Sequence, residues 1–179
     1  MLFTIVDSFS PDDGDAWTSY CQWRGVAFTR FDSIDGLLRP RLFEDPEGED
    51  WHHIVNEDFK LHLITDYDYA VHKHSEMGQG DLVGVKFSKH DPCDPRFLGF
   101  DLIDGYCDIS LLTNWGNDVD LINCSLSSNA LVLSYQKVEA IQQELLLTSR
   151  ADPHVAGCQI VSIYRPNENE QLTRNPYII

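Results

Sequence analysis

Six short runs rich in β-branched and aromatic residues punctuate this chain, each cut off by glycine, proline or a polar turn before it reaches the length of a helix. They are LFTIVDS (2–8), GVAFTRF (25–31), DLVGVKFSK (81–89), FLGFDLID (97–104), YCDISLLTN (106–114) and GCQIVSIYR (157–165). Runs of this length and composition read as strands. The short Asp104-Gly105 connection between the fourth and fifth is a hairpin signal.

Three segments carry the helical period instead. Trp17, Tyr20, Cys21 and Arg24 fall at i, i+3, i+4 and i+7 behind the capping run SPDD, and Gly25 supplies a stop, so a helix is expected over about 14–24. Ser134 can cap a second helix over 135–149, with Val138, Ile141, Leu145 and Leu146 on its buried stripe. The third is DYDYAVHKHSE at 66–76. Residues 44–50 read as an acidic loop, 51–62 as helix or strand, and 115–129 as loop, while 32–43 fits no element firmly. The expected fold is α+β: a mainly antiparallel sheet flanked by a few helices, in one domain over 1–165 with a polar tail at 166–179. A chain of 179 residues is the size of one domain with one core.

The 66–76 run decides whether a metal site is expected. Read as a strand, it places Asp66, Asp68, His72, His74 and Glu76 on one face. Read as a helix, it has Thr65 as cap, aspartates at the positive end of the dipole and Gly78 as stop. In that helix His72 and His74 point roughly 200° apart, at about 100° per residue, and do not share an ion. The helix explains more residues at once, so no metal, cofactor or catalytic residue is assigned.

The other candidate constellations are weaker. In WHH at 51–53 the adjacent histidines face different ways on either secondary structure. His154 and Cys158, read as base and nucleophile, are separated by a turn. Gly78-Gln79-Gly80 precedes a strand rather than opening a helix, unlike a phosphate loop.

Charge is the most informative feature for function. The chain carries 29 acidic and 13 basic residues, a net charge of −16. The excess is spread along it: −9 over residues 1–90 (17 acids, 8 bases) and −7 over 91–179 (12 acids, 5 bases). Such a field repels nucleic acid and anionic membranes and attracts basic proteins. Two regions concentrate it. Residues 44–58 hold Glu44, Asp45, Glu47, Glu49, Asp50, Glu57 and Asp58 around Trp51, with no base. From Phe97 to Gln136 there is no lysine or arginine, while Asp101, Asp104 and Asp108 sit near Tyr106, and Trp115 follows. Carboxylates around an aromatic anchor suit a basic partner. The expected partner-binding residues are therefore Glu44, Asp45, Glu47, Glu49, Asp50, Trp51, Asp101, Asp104 and Asp108.

The amino terminus lacks a basic segment followed by a long apolar run, so no signal peptide is expected, and no run is long enough to span a membrane. The five cysteines form no CxxC pair and are odd in number, which points to reduced thiols in a cytoplasm.

FLGFDLIDGYCDISLLTNWG resembles small bacterial proteins of immunity type or of uncharacterised function, as do FDSIDGLL, DFKLHLITDYDYA and CQIVSIYRP. The shared stretches are structural rather than catalytic and transfer no functional residue. The resemblance implies a small cytosolic protein that neutralises a toxin by binding it. With the charge, the leading expectation is an acidic binding protein with a basic partner, a toxin domain. The alternatives are a metal-dependent hydrolase using His72, His74 and nearby acids, and a nucleic-acid mimic that blocks a DNA-binding protein.

Overall fold

The computed structural model describes residues 1–34, 39, 42–43, 46–55, 61–87, 89–90, 92–114 and 119–166, of Val119 the backbone alone. Its centre is a six-stranded antiparallel sheet flanked by helices, the α+β class expected. The strands are β1 (Leu2–Val6), β2 (Ile54–Val55), β3 (Leu63–Ile64), β4 (Asp81–Phe87), β5 (Phe97–Ile103) and β6 (Gln159–Tyr164), in the order β2-β3-β1-β4-β6-β5.

The register sorts side chains into two faces. Phe3 lies opposite both Gly84 and Ile64, Gly84 opposite Tyr164, and Ile160 opposite Leu102. That face is covered by helix α2 (Tyr67–Met77) at one side, where Tyr67 and Ala70 pack on Phe3 and Ile64. At the other side the helix over Tyr135–Thr148 lays Val138, Ile141 and Leu145 on Phe100, Leu102 and Ile160. Val83, Val85, Val161, Ile163 and Ile103 point the opposite way and are covered by Ile34, Leu61 and Leu131.

Helix α1 (Asp15–Arg24) buries the stripe expected of it. The Tyr20 hydroxyl donates to the Thr113 carbonyl at 2.7 Å, and Arg24 Nη2 donates to the Leu112 carbonyl at 2.9 Å. Both acceptors lie in the four-residue helix α3 (Leu111–Asn114), whose last carbonyls have no intrahelical donor. α1 thus caps α3 from the side. Two short helices, α4 (Val119–Asn123) and α6 (Pro153–Ala156), precede and follow α5, the Tyr135–Thr148 helix.

Two expected strands, 25–31 and 106–114, are not strands: backbone of the first is engaged elsewhere, and the edge the second would pair with is taken. Residues 26–31 are irregular; the Thr29 and Asp32 amides donate to the Ser128 and Asn129 carbonyls, and Phe28 and Phe31 join Phe9, Trp17 and Tyr20 in an aromatic cluster. Residues 106–114 form a turn and α3. One edge of β5 pairs with β6, and on the other Phe100 and Val132 exchange both backbone hydrogen bonds, at 2.7 and 3.0 Å. Only an isolated bridge between Ile103 and Ser110 remains of the expected hairpin. The segment over 115–129, read as loop, includes α4. Residues 51–62 resolve into the end of a 3-10 segment (Gly48–His53) and β2 in their described part. The tail from residue 167 lies outside the described residues.

Candidate functional site

The first acidic region is built on the 3-10 segment. Glu47 and Asp50 cap each other: the Glu47 amide donates to Asp50 Oδ2 at 3.0 Å, and Asp50 N donates to the Glu47 carbonyl at 3.0 Å. Asp50 is buried and accepts from the Tyr69 hydroxyl and from Lys73 Nζ, the latter at 2.9 Å. Burial by itself would raise the Asp50 pKa, but hydrogen bonds from Tyr69, the Glu47 amide and Lys73 outweigh it and hold the carboxyl below its ordinary range. Tyr69, partly desolvated and facing that carboxylate, is pushed up to about 12. Lys73 is raised, chiefly by its hydrogen bond to Asp50. His53 stacks flat on Tyr69, with ring centroids 3.8 Å apart.

Asp50 therefore ties this segment to α2 and does not offer its charge to a partner, contrary to expectation. Glu47, Glu49 and Trp51 do remain exposed; Trp51 is 38% accessible and meets His62 edge-on. Glu44, Asp45, Glu57, Asp58 and Trp115 lie outside the described residues.

The second acidic region is corrected more deeply. Asp101 is fully buried: its Oδ2 accepts from the Ile34 amide at 2.7 Å, and its Oδ1 from the Leu102 amide at 2.8 Å and the Ser110 hydroxyl at 2.5 Å. Asp104 is also fully buried. Its Oδ1 accepts from the Asp108 amide at 2.7 Å and the Ile109 amide at 3.1 Å, closing the turn that replaces the hairpin. Neither residue reaches the surface. A buried carboxylate needs donors, and backbone amides freed by an irregular turn supply them. Asp108 is half-buried.

The 66–76 run is helix α2, capped by Asp66, whose carboxylate accepts from Tyr69 N at 2.9 Å; the cap falls one residue after Thr65. Gly78 ends the helix in the left-handed conformation, φ 66°. His72 lies 3.3 Å from Glu76, whereas His74 Nε2 lies 2.9 Å from the Gly80 carbonyl. Among the described residues no three His, Cys, Asp or Glu side chains converge as metal ligands.

One pairing was invisible from the sequence. His154, at the start of α6, holds its Nδ1 2.6 Å from Asp104 Oδ2, across a separation of 50 residues. Gly105 N donates to the His154 carbonyl at 2.7 Å, and the Tyr106 ring meets the imidazole edge-on at 5.0 Å. A Cβ on Gly105 would lie 2.7 Å from the Pro153 carbonyl oxygen and 3.1 Å from the Gly157 Cα, so this contact admits only glycine. The segment read as a turn between His154 and Cys158 instead forms α6, capped by Asp152 with Pro153 in its first turn. Nothing in the residue pattern joins it to Asp104.

The cations are distributed unevenly. Among described residues 1–85, Arg24 and Arg39 are buried, Arg30 pairs with Asp32 at 2.5 Å, and Lys73 pairs with Asp50. Arg39 Nη2 lies 2.8 Å from Asp81 Oδ2. Asp7, Asp12, Asp13, Asp15, Glu47, Glu49, Asp68 and Glu76 are exposed in the same part of the chain. Arg30 is itself exposed but paired, and the exposed bases Lys89, Lys137, Arg150 and Arg165 come later.

Compared with models of protein families, with curated proteins and with solved structures, the chain matches none. No helix among the described residues is long and apolar enough to cross a membrane.

Proposed function

We propose that this chain is an acidic cytoplasmic binding protein that neutralises a basic partner, a toxin domain, by direct contact and without turnover. One observation carries the reading. Among described residues 1–85, the bases are buried or committed to the chain's own carboxylates, while eight acids stay at the surface. Burying one's own cations raises the outward negative potential, which steers a cationic partner and selects against anionic ones. The toxin identity of the partner comes from the resemblance of the FLGFDLIDGYCDISLLTNWG region to immunity-type proteins.

The contact surface in this reading is Glu47 and Glu49 flanking Trp51, with carboxylates for encounter and an aromatic ring for retention. Asp101 and Asp104 are structural. The test is co-purification with the product of the adjacent gene, followed by titration calorimetry. E47K/E49K is expected to slow association and flatten its salt dependence. W51A is expected to cost roughly 2 kcal/mol, about thirtyfold in affinity. Tight binding left unchanged by all three substitutions overturns this surface. Failure of charge reversal across every exposed acid of the first half to weaken binding overturns the electrostatic reading.

A further inference from the structure

We propose that the Asp104–His154 pair is an acid–base site that hydrolyses small, neutral or cationic carboxylic esters, with His154 as the general base and Asp104 as its positioning residue. The proposal rests on residues separate from the acidic surface, and either reading stands or falls without the other.

The geometry is that of a base held ready. Asp104 is fully buried and both carboxylate oxygens are occupied, Oδ1 by two backbone amides and Oδ2 by the imidazole. An acceptor at Nδ1 fixes the proton there and leaves the lone pair on Nε2. The ring is held from three sides: by Asp104, by the edge of Tyr106, and through its own backbone, where His154 N donates to Asp152 Oδ1 at 2.9 Å and Gly105 N donates to the His154 carbonyl. The side chain is nevertheless 41% exposed, and Nε2 meets no partner among the described residues. A histidine kept only to satisfy a buried carboxylate has no need of that access.

The surroundings define the substrate class. The Tyr106 ring is 49% exposed beside the imidazole and provides a face for an aryl or cationic leaving group. A net charge of −16 disfavours anionic substrates. In the step, Nε2 takes a proton from water as the water oxygen bonds to the ester carbonyl carbon. The tetrahedral intermediate then expels the alcohol oxygen, which receives that proton from the imidazolium. Asp104 stays a carboxylate and balances the imidazolium charge, and the products are a carboxylic acid and an alcohol.

The test is hydrolysis of p-nitrophenyl acetate by the full chain, with the mono-p-nitrophenyl ester of succinate as the anionic comparison. H154A is expected to lose roughly tenfold or more of the rate, and added imidazole to restore part of it. H154Q, whose amide can still donate to Asp104, repeats the loss in a chain that keeps this hydrogen bond. D104N is expected to lower kcat at little changed KM, because the acceptor that holds the Nδ1 proton and balances the imidazolium charge is gone. H72A should match the unsubstituted chain, and the succinate ester should react more slowly than the acetate. Equal acetate rates for the unsubstituted chain, H72A, H154A and H154Q overturn the proposal. A loss in H154A that imidazole does not restore, with D104N leaving kcat unmoved, overturns it equally.

Discussion

Substitution of Asp101 separates a structural carboxylate from a surface one. The Asp101 carboxylate accepts from two backbone amides and the Ser110 hydroxyl, wholly out of contact with water. Asp101→Ala removes the acceptor and leaves three donors buried. Each hydrogen bond to a charged group contributes about 1.5–3 kcal/mol, and the three are not additive, so the expected loss is about 4 kcal/mol. For a domain of this size that lowers Tm by roughly 8–16 °C. Asp101→Asn keeps one acceptor oxygen and turns an NH2 group toward a donor, so it should fall between. Urea unfolding followed by circular dichroism gives both values, with the m-value unchanged if the native state keeps its compactness. Exposed acids provide the contrast: E49Q should change stability by less than about 0.5 kcal/mol. A D101A protein within about 1 kcal/mol of the parent would refute the reasoning.

Three further outcomes follow from the same geometry. Asp94 is hydrogen-bonded by the Arg96 guanidinium and amide, which lower its pKa from the ordinary 3.8 to about 2. A depressed carboxyl contributes stability that is complete above the ordinary value and lost as pH falls toward the folded one, so D94N should flatten the acid limb of the stability curve between about pH 4 and 2. Tyr69 works in the opposite direction: raised from 10.0 to about 12, it contributes stability below pH 10 that is lost as pH rises through 12. Y69F should remove that alkaline loss and weaken the tie between the 3-10 segment and α2, which hydrogen exchange at the Glu47 and Asp50 amides would report. Gly105→Ala forces a methyl against the Pro153 carbonyl and should cost about 1–3 kcal/mol in chemical denaturation.

What the sequence carried well was local. The α1 stripe, the α5 stripe, Gly25 and Gly78 as stops, and four of six strands depend on neighbours within one or two turns or on alternation within a run. The two expected strands that failed, 25–31 and 106–114, have strand composition, but the backbone of the first is engaged by the remote Ser128 and Asn129 carbonyls, and the β5 edge the second would need is taken by Val132. Aspartate was misread for a related reason. Its composition signal is the same whether it faces water or accepts backbone amides in a turn, so Asp101, Asp104 and Asp50 passed for surface charge. The Asp104–His154 pair depends on α6 docking beside the end of β5, a tertiary contact without any trace in spacing.

The sheet order has a consequence for biosynthesis. β4 and β5 are near neighbours in the chain, yet β6 lies between them, so the gap stays open until synthesis has passed residue 164. Until then both flanking strands present unpaired backbone to the crowded cell, which is where chaperones and aggregation compete. Insertion of the latecomer is a single long-range event that completes two ladders at once, and it should set the pace at which the newborn protein becomes protease-resistant.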